Sequence, residues 1–215
     1  MFSRVKKLSP VIALLALTTL MGPLSARGQA YCSLRDPNRI VQELFPQATG
    51  FRSYLRRVTR EKAAALKSEL PVEFDAREFT THTLYAVHQK GEILGYVQSR
   101  TEEVEWGLAE IIWILDPELH LVTFRFQRCR SQWKTPVESD ALQIHLQGLS
   151  EADLVRLWQN QGTGWLLERA KLPKAATKIV DAVVMSGLKA MGLARVVWGE
   201  DIASIQNVLR ESQSN

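Results

Sequence analysis

From Asp36 onward the chain alternates between short apolar stripes and breaks made by Pro, Gly and Asp. Asp36-Pro37 is an N-cap followed by proline at the first helical position. Ile40, Val41, Leu44 and Phe45 then form one stripe, which predicts a short helix over 37–45 ended by Pro46. Residues 51–58 read as a strand made polar by Arg52, Arg56 and Arg57, and Thr59 caps a predicted helix over 60–70, stopped by Pro71. The middle of the chain changes to a period of two. Over 80–89, Thr81, Thr83, Tyr85 and Val87 share one face and His82, Leu84, Ala86 and His88 the other. Lys90-Gly91-Glu92 is a turn into a partner strand over 93–100. The apolar run 107–115 predicts a third strand of this meander. After the Asp116-Pro117-Glu118 turn, 119–128 predicts a fourth, with Leu121, Thr123, Arg125 and Gln127 on one face and His120, Val122, Phe124 and Phe126 on the other.

The last third returns to helical spacing. Residues 138–147 and 151–159 are expected helices, the second capped by Ser150 with Asp153 three positions on, and 159–164 is an expected loop. Pro173 opens the most regular helix, with Ala176, Val180, Val183, Val184, Leu188 and Met191 in register and Gly192 as its expected terminator. A final amphipathic helix is expected over 201–211. The fold class is therefore α+β: a central antiparallel sheet, a meander, with helices at both ends packed on it.

Composition changes this picture in one respect. The chain has 215 residues, 27 of them Lys or Arg and 23 Asp or Glu, for a net charge of +4. All the excess lies in the first thirty residues, where Arg4, Lys6, Lys7 and Arg27 face no acid, which leaves 23 basic and 23 acidic residues beyond them. No nucleic-acid partner is expected of a neutral chain. The basic start, the apolar run 11–22 and the small residues up to Ala30 match a secretory signal peptide over 1–30, cleaved before Tyr31 or, alternatively, at Ala26. An uncleaved N-terminal anchor is the alternative. The apolar run is shorter than the roughly 20 residues a bilayer span needs, and the rest, 31–215, holds no transmembrane candidate and reads as one domain. The expected compartment is the periplasm. In that oxidising space Cys32 and Cys129 are expected to pair; two buried thiols or a redox-active pair are the alternatives.

Several chemistries lack their residues. There is no Gly-x-Ser-x-Gly, no Gly-x-Gly-x-x-Gly and no Gly-Lys-Thr phosphate loop. His82, His88, His120 and His145 do not pair at metal-ligand spacing, and His82 and His88, six apart on one strand face, read as half-exposed strand positions. Glu102, Glu103 and Glu105 read as a solvated hairpin end. Trp106, Trp113, Trp133, Trp158, Trp165 and Trp198 read mainly as core filling, with an aromatic wall for a flat cofactor as the other use.

The order of short patterns is more specific. Leu44 to Ala48 reads Leu-Phe-Pro-x-Ala, Leu94 to Val97 reads Leu-Gly-Tyr-Val, an apolar strand and the Asp116-Pro117 turn follow, and then come Gly148-Leu-Ser-x-x-Asp-Leu and a late helix. Over roughly 37–195 this resembles the FMN-binding domain family, which includes flavin-carrying subunits of the Rnf and Nqr electron-transport complexes and periplasmic regulators of nitrous-oxide respiration. In that family a late helix starts with a motif like Ser-Gly-Ala-Thr, whose Thr can carry FMN through a phosphoester bond. The matching stretch is Lys174-Ala175-Ala176-Thr177, which keeps Ala176 and Thr177 but has Lys174 for Ser, Ala175 for Gly and Lys171 at the upstream Asp position. The family's Glu-Thr-Pro-Gly corresponds to Lys134-Thr135-Pro136-Val137, which keeps Thr135 and Pro136.

The resemblance implies an exported flavoprotein holding FMN noncovalently, serving electron transfer or supporting a membrane redox complex or a periplasmic electron-transfer protein. Thr177, Lys174 and Ala176 would lie at the phosphate, Thr135 and Pro136 beside the cofactor, and Trp113 or Trp133 would stack on the ring. Physical chemistry points to the same helix start, because unpaired N–H groups and the helix dipole favour an anion there, and Lys171, Lys174 and Lys178 gather round it. The alternative is a flavin-free accessory module of the same fold, binding a protein partner or another small ligand.

Overall fold

The computed structural model describes residues 34–213, and side chains as far as Ile205. The signal segment, its cleavage site and Cys32 lie outside the described residues, so the expected pairing of Cys32 with Cys129 does too.

Local caps set the first elements. Asp36 Oδ1 accepts from the Arg39 N–H at 3.1 Å and starts α1, Pro37–Leu44. Strand β1, Gly50–Arg57, leads to α2, Arg60–Glu69, whose N-cap Thr59 accepts from the Lys62 N–H. A one-turn 3-10 helix, Ala76–Glu78, precedes β2, Thr81–Gln89. Lys90 and Gly91 both take left-handed φ, 47° and 93°, as a two-residue hairpin requires, and β3, Glu92–Val104, returns along β2. A second two-residue loop, Glu105-Trp106, leads into β4, Gly107–Leu115, and β5 follows at Leu121–Arg128. The sheet order is β1-β2-β3-β4-β5, antiparallel throughout, which is the expected meander.

The sheet is buried on both faces. One face carries Leu84, Ala86, Tyr96, Trp113 and Phe124; the other carries Tyr85, Val87, Val97, Ile112 and Ile114 against Ile40, Val41 and Phe45 of α1. Burying a large apolar side chain contributes about 1.5–3 kcal/mol, so α1 is held by its stripe and not by its length. A slip in the β4–β5 register beside Leu115 places Leu121 and Phe124 on one face and Val122 on the other, where strict alternation put Val122 with Phe124.

After β5 comes a single turn, α3, Lys134–Val137, and the expected helix over 138–147 is cut to another single turn, α4, Asp140–Gln143. Their role is local. Gln143 Oε1 accepts from the Phe124 N–H at 3.2 Å and Glu138 Oε1 from the Phe126 N–H at 2.7 Å, so these side chains complete the outer edge of β5. Helix α5, Glu151–Gln161, carries the expected Ser150–Asp153 capping box and runs two residues into the expected loop. Helix α6, Gly164–Arg169, was not legible from the pattern. It ends on Lys171 at φ 52°, with the Leu172 N–H reaching the Leu167 carbonyl.

The 3-10 turn Lys174–Ala176 opens α7, Thr177–Gln213, a single helix of 37 residues where two were expected. Gly192 does not terminate it. It sits inside the helix because α2 packs there: a Cβ at Gly192 would collide with Leu70 Cδ1. Helix α7 spans about 55 Å at 1.5 Å per residue and crosses β3. Its Trp198 Nε1 donates to the Tyr54 carbonyl at 3.0 Å, and Asp201 accepts from Arg56 of β1.

Candidate functional site

Two places in the fold gather candidate chemistry. The first is the end of the sheet where β3 finishes, β4 begins and β5 finishes. Lys178 Nζ lies 3.1 Å from Glu103 Oε1, which fixes the start of α7 at this end. The chain leaving β5 passes Cys129 and enters α3, which packs on α7, and Val137 and Ala176 belong to one apolar cluster. The Cys129 thiol, pushed up by its burial, feels the charges of both Lys134 and Glu105. Thr135, Pro136 and Trp133 are thus brought to the same end of the fold as Lys174, Ala176 and Thr177.

The start of α7 has an unusual chemistry. Pro173 at its cap position contributes no side-chain hydrogen bond, and no acidic residue lies in the first turn. The N–H groups of Lys174 and Ala175 precede the first intrahelical bonds. Ala176 is buried, Lys174 and Lys178 are exposed, and Thr177 is half-buried with its hydroxyl donating to the Lys174 carbonyl at 2.7 Å. A cationic first turn opposes the helix dipole, and an anion there would offset that cost. At this same end, Trp106 in the β3–β4 loop is 69% exposed.

Trp113 lies elsewhere. It is wholly enclosed, its Nε1 donating to Ser186 Oγ at 2.7 Å and its ring lying 5.1 Å from that of Phe124. Gly187 of α7 packs on the indole so closely that a Cβ would come within 3.0 Å of Cζ2. Trp133 is partly buried beside α3.

The second place is a polar stripe inside the core, which periodicity did not reveal. Four inner-face positions of β3 are Tyr96, Gln98, Arg100 and Glu102, all buried beneath α7. The Lys189 ammonium bridges Glu78 Oε1 and Glu102 Oε2, each at 2.9 Å, and Arg100 pairs with Glu78. His82 Nε2 is 2.5 Å from the Glu78 carbonyl oxygen, and Arg100 approaches its Nδ1 at 3.3 Å. Since guanidinium can only donate, Nδ1 accepts and Nε2 carries the proton, which assigns a neutral ring. Burial, then the Arg100 charge, lowers His82 to about 4, and burial pushes the Glu102 carboxyl up. Glu102 and His82, read as solvated and half-exposed positions, are therefore core residues. The Gln98 amide and Glu102 Oε1 have no hydrogen-bond partner among the described residues. The one hint in the sequence was a polar stretch, Gln98 to Glu103, continuing a strand whose pattern had stopped being apolar.

Neither the helix start nor the stripe gathers three or more His, Cys, Asp or Glu side chains placed for a metal among the described residues. No helix among them is long and apolar enough to cross a membrane. The fold and these sites define an α+β protein, a five-stranded meander crossed by one long helix. Comparison with protein-family models, with curated proteins and with solved structures finds no match to the chain.

Proposed function

We propose that this protein is an exported flavin carrier of the FMN-binding-domain type, holding FMN noncovalently at the start of α7 and passing electrons to a membrane redox complex or a periplasmic electron-transfer protein. The observation that supports it is a helix start with no side-chain cap, tied by Lys178 to Glu103 at one end of the sheet, with α3 packed on the same helix α7. These residues fit the phosphate end of the cofactor. Lys174 supplies a cation and the first N–H groups supply donors, while Thr135 and Pro136 flank the approach. Trp133 is the aromatic left to meet the ring, since Trp113 is enclosed. When bound, the flavin supplies reversible one- and two-electron transfer. The Thr177 hydroxyl is engaged with the Lys174 carbonyl, which favours a phosphate held by charge over one joined to that oxygen.

A flavin-free module of the same fold is the second reading. It is favoured by Lys174 and Ala175 at the family's Ser and Gly positions and by the enclosure of Trp113.

The visible absorbance of the purified protein, before and after acid precipitation, decides between them. Noncovalent binding puts the flavin bands in the acid supernatant. Lys174→Gln is expected to weaken FMN binding about tenfold, the worth of one charge-assisted hydrogen bond. Flavin retained in the pellet overturns the noncovalent form, and absence of flavin with no uptake of added FMN sinks the reading.

A further inference from the structure

At the opposite end of the sheet from the start of α7, a cleft of about 570 Å³ opens between the β2–β3 turn, β1 and residues 201–205 of α7. Its base is apolar, formed by Ala86, Ile93 and Ile205, with Tyr54 on one wall. Its rim carries two cations, Arg52 and Lys90, and the His88 imidazole. The carboxylate in its lining, Asp201, is already taken: Arg56 donates to Oδ2 from Nε at 2.9 Å and to Oδ1 from NH2 at 2.5 Å. Arg52 and Lys90 meet no carboxylate among the described residues. Gly50 matters here, because a Cβ would come within 3.3 Å of His88 Cε1, so the missing side chain lets the ring lie over the start of β1.

We propose that this cleft is a binding site for a small amphipathic anion: an aromatic or branched apolar body bearing one carboxylate, sulfonate or phosphate. The volume falls in the range of about 300–1,000 Å³ of small-molecule sites, and an apolar base with few convergent polar groups is their usual lining. The charge selects the ligand. Two cations that meet no carboxylate among the described residues, beside an acid already paired with Arg56, give a positive rim over an apolar floor, where an anion gains from the rim and its body from leaving water. A cationic or purely polar ligand gains from neither. The site does not rest on flavin binding at the start of α7, since the two lie at opposite ends of the sheet.

The probe is 1-anilinonaphthalene-8-sulfonate, an aromatic monoanion, titrated into the full chain and followed by fluorescence, with competition by indole-3-acetate. Saturable binding at one site is expected. The double variant Arg52→Gln, Lys90→Gln should weaken it at least tenfold, and so should Ser204→Trp, which fills the cleft without changing charge. Arg130→Gln, a cation removed elsewhere on the surface, should leave it within twofold. Far-UV circular dichroism and the melting temperature establish that each variant is folded. Folded cleft variants that bind as the parent does overturn the proposal. So does an Arg130→Gln variant that weakens binding as much as they do, because the probe would then be reading net charge.

Discussion

His82 is the residue whose chemistry differs most between the folded and unfolded chain. Folded, it is fully buried, accepts from Arg100 and donates to the Glu78 carbonyl; unfolded, it titrates as an ordinary imidazole. Its pKa is lowered from 6.5 to about 4, so the unfolded chain binds the proton first as pH falls. Stability attributable to His82 is therefore present above pH 6.5 and is lost progressively down to about pH 4. At about 1.4 kcal/mol per pH unit the loss across this window is about 3–4 kcal/mol. Glu102 works in the opposite sense. Its raised pKa costs stability as pH rises from the ordinary carboxylate value, so the two must be separated by substitution. Urea unfolding at pH 7 and pH 4.5 should show a larger acid loss in the parent than in His82→Gln; equal losses would place the titration elsewhere. Neither burial was legible, because each depends on partners outside its own strand: Arg100 lies 18 positions from His82 and Lys189 87 positions from Glu102. Caps were legible because they act within three residues, as at Asp36, Thr59 and Ser150.

Glycine has opposite meanings at different positions of one element. In α7, Gly187 gives way to the Trp113 ring and Gly192 to Leu70, while a Cβ at Gly199 would meet nothing within 4 Å. Gly199→Ala should therefore stabilise the protein by about 0.5–1 kcal/mol, the helix-propensity difference. Gly187→Ala gains the same propensity but overpacks a rigid, fully buried indole, and should destabilise by about 1–3 kcal/mol. Urea midpoints of the two variants, read against the parent, test both signs together. Gly192 was expected to end the helix on its identity alone, and identity could not separate a terminator from a point of close approach. The spacing of Ala176, Val180, Val183, Leu188 and Met191 was the better guide, and all five are buried. The stretch 138–147 was read as a full helix, where only the single turn α4 forms, because amphipathic spacing does not register that Glu138 and Gln143 point back to the edge of β5.

At the scale of the whole molecule, the buried ion network joins three elements that no single hairpin connects. Glu78 comes from the 3-10 turn before β2, Arg100 and Glu102 from β3, and Lys189 from α7. Lys189→Met would leave two carboxylates facing one guanidinium in the core. Removing one member of a buried pair costs about 3–5 kcal/mol. The orphaned carboxylates can recover part of this by taking up a proton, so the deficit should be greater at pH 8 than at pH 5. Unfolding free energies of parent and variant at the two pH values measure this; a deficit independent of pH would mean that packing, not charge, is lost. The four strands β2 to β5 were legible as a meander because their turns are short and chemically marked, as at Lys90-Gly91, whereas the pairing of β1 with β2 spans a connection that holds α2. The placing of α7 across β3 was not, since the helix meets a polar stripe that its own sequence does not announce.

The two margins of the sheet are closed by different means. On β5, the Phe124 and Phe126 N–H groups are already spent on Gln143 and Glu138. On β1, Arg52, Arg56 and Arg57 are exposed along the outermost strand. A second molecule adding its own strand would find no donors at those positions on one side and would bring arginine against arginine on the other. Both margins of the five described strands thus disfavour edge-to-edge pairing with the strands of a second molecule.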